Sequence, residues 1–136
     1  MSNEETLRAF LTAHNGGWDF DGALPLASID FVAHMTGSPD LPSRDAWQEA
    51  TEAFAKAFPD YSLEVHDIVC HGDLAAARFT WRGTHVAEMN GIPASGARVE
   101  VSGISLVRFE DGLLVEEWVE QNNLALLQQI GAIPAG

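Results

Sequence analysis

A carboxylate opens and two amides close the segment Glu117-Trp118-Val119-Glu120-Gln121-Asn122, and their place among apolar residues is what gives them chemical interest. Glu117 lies on the strand face shared by Leu113, Val115 and Val119. If that face looks inward, Val119 lines the same site, and burial raises the carboxyl pKa toward neutrality, where the group can take or give a proton. The competing reading is a solvated Glu116-Glu117 rim pair, or neutralisation of Glu117 by Arg78, Arg82 or Arg98 on neighbouring strands. Gln121 and Asn122 can present amide N–H donors to a carbonyl or enolate oxygen. Asn122 and Asn123 also precede a helical pattern in which an Asn N-cap is favourable, and Asn123 is read as the cap.

His34 ends a short apolar run, where an imidazole can donate or accept a proton. His14, on the apolar face of the first helix, reads as a core histidine, and His66 and His71 read as exposed. Ser105 is a further candidate to hold a substrate oxygen. Trp18 and Trp81 offer flat faces to an aromatic ligand, or simply fill the core. Met89-Asn90-Gly91-Ile92-Pro93 joins two long strands, and its apolar Met89 and Ile92 suit a lid over a cavity mouth. No GxGxxG, Walker-type, HExxH or EF-hand pattern occurs, so catalysis is expected to need no cofactor and no dedicated metal.

The elements that position these residues divide into helices first and strands second. Ser2 and Glu5 have the spacing of a capping box before the stripe Leu7, Phe10, Leu11 and His14, which Asn15-Gly16-Gly17 ends. A short helix fits within 19–28, and a short strand within 29–35. Ser43 can cap a helix with the stripe Trp47, Ala50, Phe54, Ala57 and Phe58, which should lie across the sheet. From Tyr61 the period becomes two, giving strands from Tyr61 to His71, Leu74 to about Glu88, Arg98 to Phe109 and Leu113 to Gln121. Leu124, Leu127 and Ile130 mark a final helix. This order predicts an α+β fold with an antiparallel sheet, bent at Gly83 and Gly103 and enclosing a cavity.

The chain has 136 residues, 46% of them hydrophobic, which reads as one domain spanning 1–136. A formal charge of −13 repels phosphate backbones and anionic membranes, which argues against nucleic acid as a partner. One cysteine, Cys70, allows neither an intrachain disulfide nor a zinc framework. The start of the chain lacks a basic segment followed by an apolar run, no stretch approaches membrane-spanning length, and a cytoplasmic location is expected. The strand from Val99 carries apolar residues on both faces, so a second copy is expected to cover part of the outer one, giving a homodimer through the sheet.

Phe58-Pro59-Asp60, Gly83-Thr84-His85, Gly91-Ile92-Pro93, Phe109-Glu110-Asp111-Gly112, Glu116-Glu117-Trp118 and Gln129-Ile130-Gly131 together resemble the SnoaL-like polyketide cyclases of the nuclear transport factor 2-like superfamily. The resemblance implies a cone-shaped α+β barrel, a dimer, and cofactor-independent chemistry on hydrophobic polycarbonyl intermediates, such as aldol ring closure. In the family's aldol cyclases the base is an aspartate on the final strand, helped by Gln and His on the strand before. Aligned through Asp111-Gly112, those positions are Val119, Gly103 and Ser105, and a valine cannot abstract a proton. Members implicated in hydroxylation resemble this chain in having Asn at position 122. The expected function is therefore a cyclase using Glu117 or His34 for proton transfer and Asn122, Gln121 or Ser105 to hold an oxygen. The alternatives are a cofactor-independent hydroxylase and a non-catalytic binding domain.

Overall fold

The computed structural model describes residues 1–134. Helix α1 (Asn3–Thr12) starts where the Ser2 hydroxyl accepts the Glu5 N–H, and it buries Leu7, Phe10 and Leu11. Asp19 caps the short α2 (Phe20–Ala23), which passes into a 3-10 turn at Leu24–Leu26 containing Pro25. Strand β1 (Ala27–Met35) follows, and Ser43 then caps α3 (Arg44–Ala57). The remaining elements are β2 (Ser62–His71), β3 (Leu74–Thr84), β4 (Arg98–Glu110), β5 (Leu113–Gln121) and α4 (Asn123–Gln129).

The five strands form one sheet in the order β1-β5-β4-β3-β2. The last four are antiparallel neighbours, with short turns joining β2 to β3 and β4 to β5 and the longer segment 85–97 joining β3 to β4; Asp111-Gly112 joins β4 to β5 with φ of 51° and 78°, the positive values of a type I′ hairpin. The expected all-antiparallel sheet needs one correction: β1 pairs parallel to β5, so the sheet is mixed. A parallel neighbour needs a long crossover, and alternation along one strand carries no information about such a remote partner. The structure also ends β3 at Thr84 rather than near Glu88. Beyond it, the buried His85 exchanges backbone hydrogen bonds with Ala97 and Gly96.

The inner face of the sheet holds Phe31 and Ala33 of β1, Ala75, Ala77, Phe79 and Trp81 of β3, Val99, Val101, Ser105 and Val107 of β4, and Leu114, Glu117 and Val119 of β5, all buried. Helix α1 packs on β2 and α3 on β1. The fully buried Phe31, Phe58 and Phe109 each contribute about 1.5–3 kcal/mol by leaving water. On edge strand β2, the Asn15 amide donates to Leu63 O at 2.8 Å and accepts the Leu63 N–H at 2.7 Å, satisfying backbone groups that no sixth strand covers.

A bulge sets the phase of β5. Arg108 pairs with Glu116 but Phe109 pairs with Leu114, leaving Val115 as the extra residue. Leu114 is consequently fully buried while Leu113 is exposed, so the expected face Leu113, Val115, Glu117, Val119 is broken at its start although Glu117 and Val119 keep theirs.

On the outer face, the cross-strand row Val69, Ala76, Leu106, Trp118 and His34 runs over all five strands. His34 belongs to this row because Ala33, its neighbour, pairs with Glu117 on the inner face and successive strand residues point oppositely. The structure thus turns His34 away from the interior, where it stacks on Trp118 with ring centroids 5.4 Å apart. Its Nε2 lies 2.8 Å from Glu116 and its Nδ1 2.8 Å from Asp40. The hydrogen bond to Glu116, then that to Asp40, holds the imidazole pKa above its ordinary 6.5. In turn, the bond to His34 holds the Glu116 carboxyl below its usual value. Because the folded-state pKa of His34 is raised, its stabilisation is complete below about pH 6.5 and disappears as pH rises through the folded value. His34→Ala is predicted to lower the unfolding midpoint most just below that pH, where Glu116 is still ionised, and least in alkaline buffer; a deficit independent of pH in denaturant titrations would contradict this.

Candidate functional site

A pocket of about 330 Å³, within the range of small-molecule sites, lies between the inner face of the sheet and helices α1 and α3. The stripe of α3 that was expected to lie across the sheet supplies Trp47, Ala50 and Phe54 to its wall, and Trp81 meets Phe54 edge-on at 5.3 Å. Trp18 stacks on Tyr61 at 4.8 Å, and its indole N–H donates to Phe58 O at 2.9 Å, so its polar edge is satisfied and its ring is free to act as wall. The wall is predominantly aromatic and aliphatic.

Glu117 is the carboxylate in the depth of this pocket, 3% exposed. Among the described residues its one side-chain hydrogen bond comes from Ser105, whose hydroxyl donates to Oε2 at 2.7 Å. Burial pushes its pKa up to about 7, with the Ser105 bond acting in the opposite direction. The three arginines that could have neutralised it are engaged elsewhere: Arg78 with Asp67, Arg82 with Glu64 and Glu100, and Arg98 with Asp60. A buried carboxyl without a cation is a group poised to exchange a proton near neutral pH.

Gln121 lines the same pocket in a fixed orientation. Its Oε1 accepts from the Trp81 indole at 3.2 Å, and its amide donates to Asn123 Oδ1 at 2.8 Å, while the Asn123 amide donates to Thr36 O at 2.9 Å. Asn122, not Asn123, is the N-cap of α4, accepting the Ala125 N–H at 3.0 Å. Asn122 borders a shallower hollow on the far side of Gly103 and Gln121 and is not part of the main pocket wall. Ser105 stands behind Glu117, fully buried, and touches the site through that carboxyl. Val119 and Met89 are wall residues.

Met89 opens a two-residue turn, bonding Ile92 in both directions across Asn90 and Gly91, whose φ values of 49° and 81° again fit type I′. Glu88, Met89 and Asn90 of this hairpin tip border the pocket. The position that carries Gln in the aldol cyclases, Gly103, has no room for a side chain: a Cβ there would lie 2.7 Å from Phe79 Cζ and 2.8 Å from Glu120 O. The structure therefore assembles Glu117, Gln121, Val119, Trp18, Trp81 and Met89 around one space, puts Ser105 behind Glu117, and leaves His34 and Asn122 outside the wall.

Polar wall residues missed as site candidates include His14 and Tyr61. Burial, reinforced by the negative charge of Glu117, holds the Tyr61 phenol well above its ordinary pKa, so it stays protonated. His14 lay in plain view in register with the apolar stripe of α1, just past the helix end, and a stripe that lines a cavity has the same period as one that fills a core.

The sequence profile of the SnoaL-like polyketide cyclases matches residues 4–130. Among solved structures, AclR from Streptomyces galilaeus, proposed to be a hydroxylase, is 32% identical with a TM-score of 0.86, the match covering 98% of this chain and 83% of that one. TsrD from Streptomyces laurentii is 32% identical with a TM-score of 0.83, over 96% and 95% of the two chains. IdmH from Streptomyces antibioticus, proposed to be a polyketide cyclase, is 32% identical with a TM-score of 0.82, over 96% and 99%. A search of curated proteins gives no match. With a profile match over nearly its whole length and the α+β fold with a five-stranded sheet in common with these structures, the chain belongs to the SnoaL-like polyketide cyclase family.

Proposed function

We propose that this chain is a cyclase acting on a hydrophobic polyketide-type natural-product intermediate, with Glu117 as the proton-transfer group and no cofactor. The observation that carries this reading is the buried Glu117 carboxyl, its pKa raised to about 7, facing an aromatic pocket with no cation beside it. In its ionised form Glu117 takes a proton from a carbon next to a carbonyl; the resulting enolate carbon bonds to a second carbonyl carbon, and Glu117 returns the proton to the new alkoxide. The product is an isomer of the substrate, or lighter by one water if dehydration follows. Ser105 orients the carboxyl, Gln121 faces the substrate with its fixed amide, and Trp18, Trp81, Val119 and Met89 supply contact area. The absence of a carboxylate at residue 119 shifts the base two residues back along the same strand face, about 7 Å away.

A second reading, cofactor-independent hydroxylation, is favoured by the likeness to AclR. There the same proton removal would leave a carbanion that adds molecular oxygen to give a hydroperoxide, which two electrons from an external reductant and two protons convert to the alcohol and water. Mass spectrometry of cells carrying Glu117→Gln separates the two. An accumulated intermediate isomeric with the product, or heavier by one water, supports the cyclase; one lighter by one oxygen supports the hydroxylase, and no accumulation contradicts both.

With purified substrate, Glu117→Gln is predicted to lower kcat about 10²–10⁴-fold, the range for loss of a general acid–base group. The wild-type rate should follow one group titrating near pH 7. Stability moves the opposite way. The folded-state value of about 7 exceeds the ordinary 4.5, so between these pH values the unfolded chain is ionised while the folded chain keeps the proton. Wild-type stability therefore falls as pH rises across that window, by a total on the order of 3 kcal/mol. Glu117→Gln, which retains an acceptor for Ser105, should be the more stable protein near pH 8; equal denaturation midpoints there would count against an ionised, buried Glu117.

We further propose that two copies pair through the outer face, where Leu106 of the cross-strand row is 38% exposed and Ile104, on the same strand face, 53%. Sedimentation of the wild type as a two-chain species and of Ile104→Glu as a one-chain species is the predicted outcome, and a one-chain wild type would contradict it.

A further inference from the structure

The pocket wall includes a histidine with no part in the proton transfer assigned to Glu117. His14, just beyond the end of α1, is 6% exposed and packs between Trp18, 4.6 Å away, and Phe20, 5.1 Å away. The backbone N–H of Asp19 donates to its Nδ1 at 2.8 Å. A nitrogen that accepts a hydrogen bond carries no proton, so the neutral ring bears its hydrogen on Nε2. That Nε2 is buried and has no hydrogen-bond partner among the described residues. Burial holds the His14 pKa below its ordinary 6.5, against a smaller opposing effect of the Asp19 charge, so the ring is neutral at pH 7.

An unpartnered buried N–H is costly, and native structures leave few without a role. Among the described residues one other ring nitrogen, Nε2 of His85, is in the same state, but His85 is stacked on Phe58 and is not part of the pocket wall. His14 thus combines an orphaned donor, a fixed tautomer and a place in the wall of the pocket that holds Glu117.

We infer that His14 is the oxygen-holding residue of the pocket, donating Nε2–H to a carbonyl oxygen of a flat, otherwise apolar ligand. The inference rests on the reading of the pocket as a site for carbonyl compounds and adds to it a donor that bonds no other group among the described residues. As a proton leaves carbon for Glu117, negative charge grows on that oxygen. A neutral donor aimed at the oxygen then becomes stronger without surrendering its own proton.

Binding can be measured without turnover through the fluorescence of the wall tryptophans, using 1-tetralone, an aromatic ketone, and tetralin, the same skeleton without the oxygen. The wild type is predicted to bind 1-tetralone about tenfold more tightly than tetralin, the difference of one hydrogen bond. Because neither probe is turned over, the preference is read independently of proton transfer by Glu117, which separates a failure of this inference from a failure of the proton-transfer reading. His14→Phe should abolish or reverse the preference, and His14→Gln, whose side-chain N–H reaches the same region, should restore part of it. Nitrogen-15 spectra of the wild type should show the Nε2–H tautomer of His14, with that resonance moving on addition of 1-tetralone and not of tetralin; these spectra decide the matter even if His14→Phe does not fold. An Nδ1–H tautomer, no binding of 1-tetralone, equal affinity for the two probes, or a preference that survives in a folded His14→Phe would overturn the inference.

Discussion

Holding a carboxyl group away from water without a counter-charge is the constraint to which the rest of this structure answers. Desolvating Glu117 is unfavourable in its ionised form, and the fold supplies one serine hydroxyl against it. A nearby arginine would remove the penalty and with it the chemistry, because a salt-bridged carboxylate is ionised far below neutral pH and too weak a base. Each candidate arginine instead meets an acidic partner on the solvent side, at Asp60, Glu64, Asp67 or Glu100. The sheet therefore sorts its charges by face: ion pairs outside, where water screens them and they matter little to stability, and one carboxyl inside.

The same sorting explains how Glu117 is aimed. Its direction follows from strand parity downstream of the Val115 bulge, its partner Ser105 from the β4 register, and its surroundings from α3, whose aromatic stripe stands off the sheet far enough to leave a pocket. Trp18 and Gln121 have their polar edges tied to Phe58, Trp81 and Asn123. Walls whose own hydrogen bonds are already made keep their shape when a ligand enters, which lowers the ordering cost of binding.

Much of this could be read from the sequence because the period-two pattern between Tyr61 and Gln121 is strong and its turns are marked by Gly-containing pairs such as Asp111-Gly112. Glu117 was legible for the same reason, since Val119 shares its face. What escaped was information that no single segment contains. The parallel partner of β1 is remote in the chain, and the bulge at Val115 moves Leu114 inward in a run where Leu113, Leu114 and Val115 are all apolar. His34 could have been excluded by the parity of Phe31, Ala33 and Met35, which are apolar at alternate positions and place His34 on the other side. The choice of Asn122 over Asn123 as cap depended on one residue of helix boundary, a distance at which sequence signals do not discriminate. His14 and Tyr61 were legible as apolar-face residues but not as pocket residues, because only packing distinguishes a filled interior from a hollow one.

The resemblance puts the base of the family's aldol cyclases where this chain has Val119, so the proposed proton transfer rests on Glu117, further back on the strand. Carboxyl-carbon NMR of wild-type protein labelled at glutamate, assigned by comparison with Glu117→Gln, follows the ionisation of this side chain directly. A titration midpoint near pH 7, far above the other glutamates, is the predicted result. A midpoint near the ordinary 4.5 would mean that the carboxyl is solvated or paired in solution, and would contradict Glu117 as the proton-transfer group.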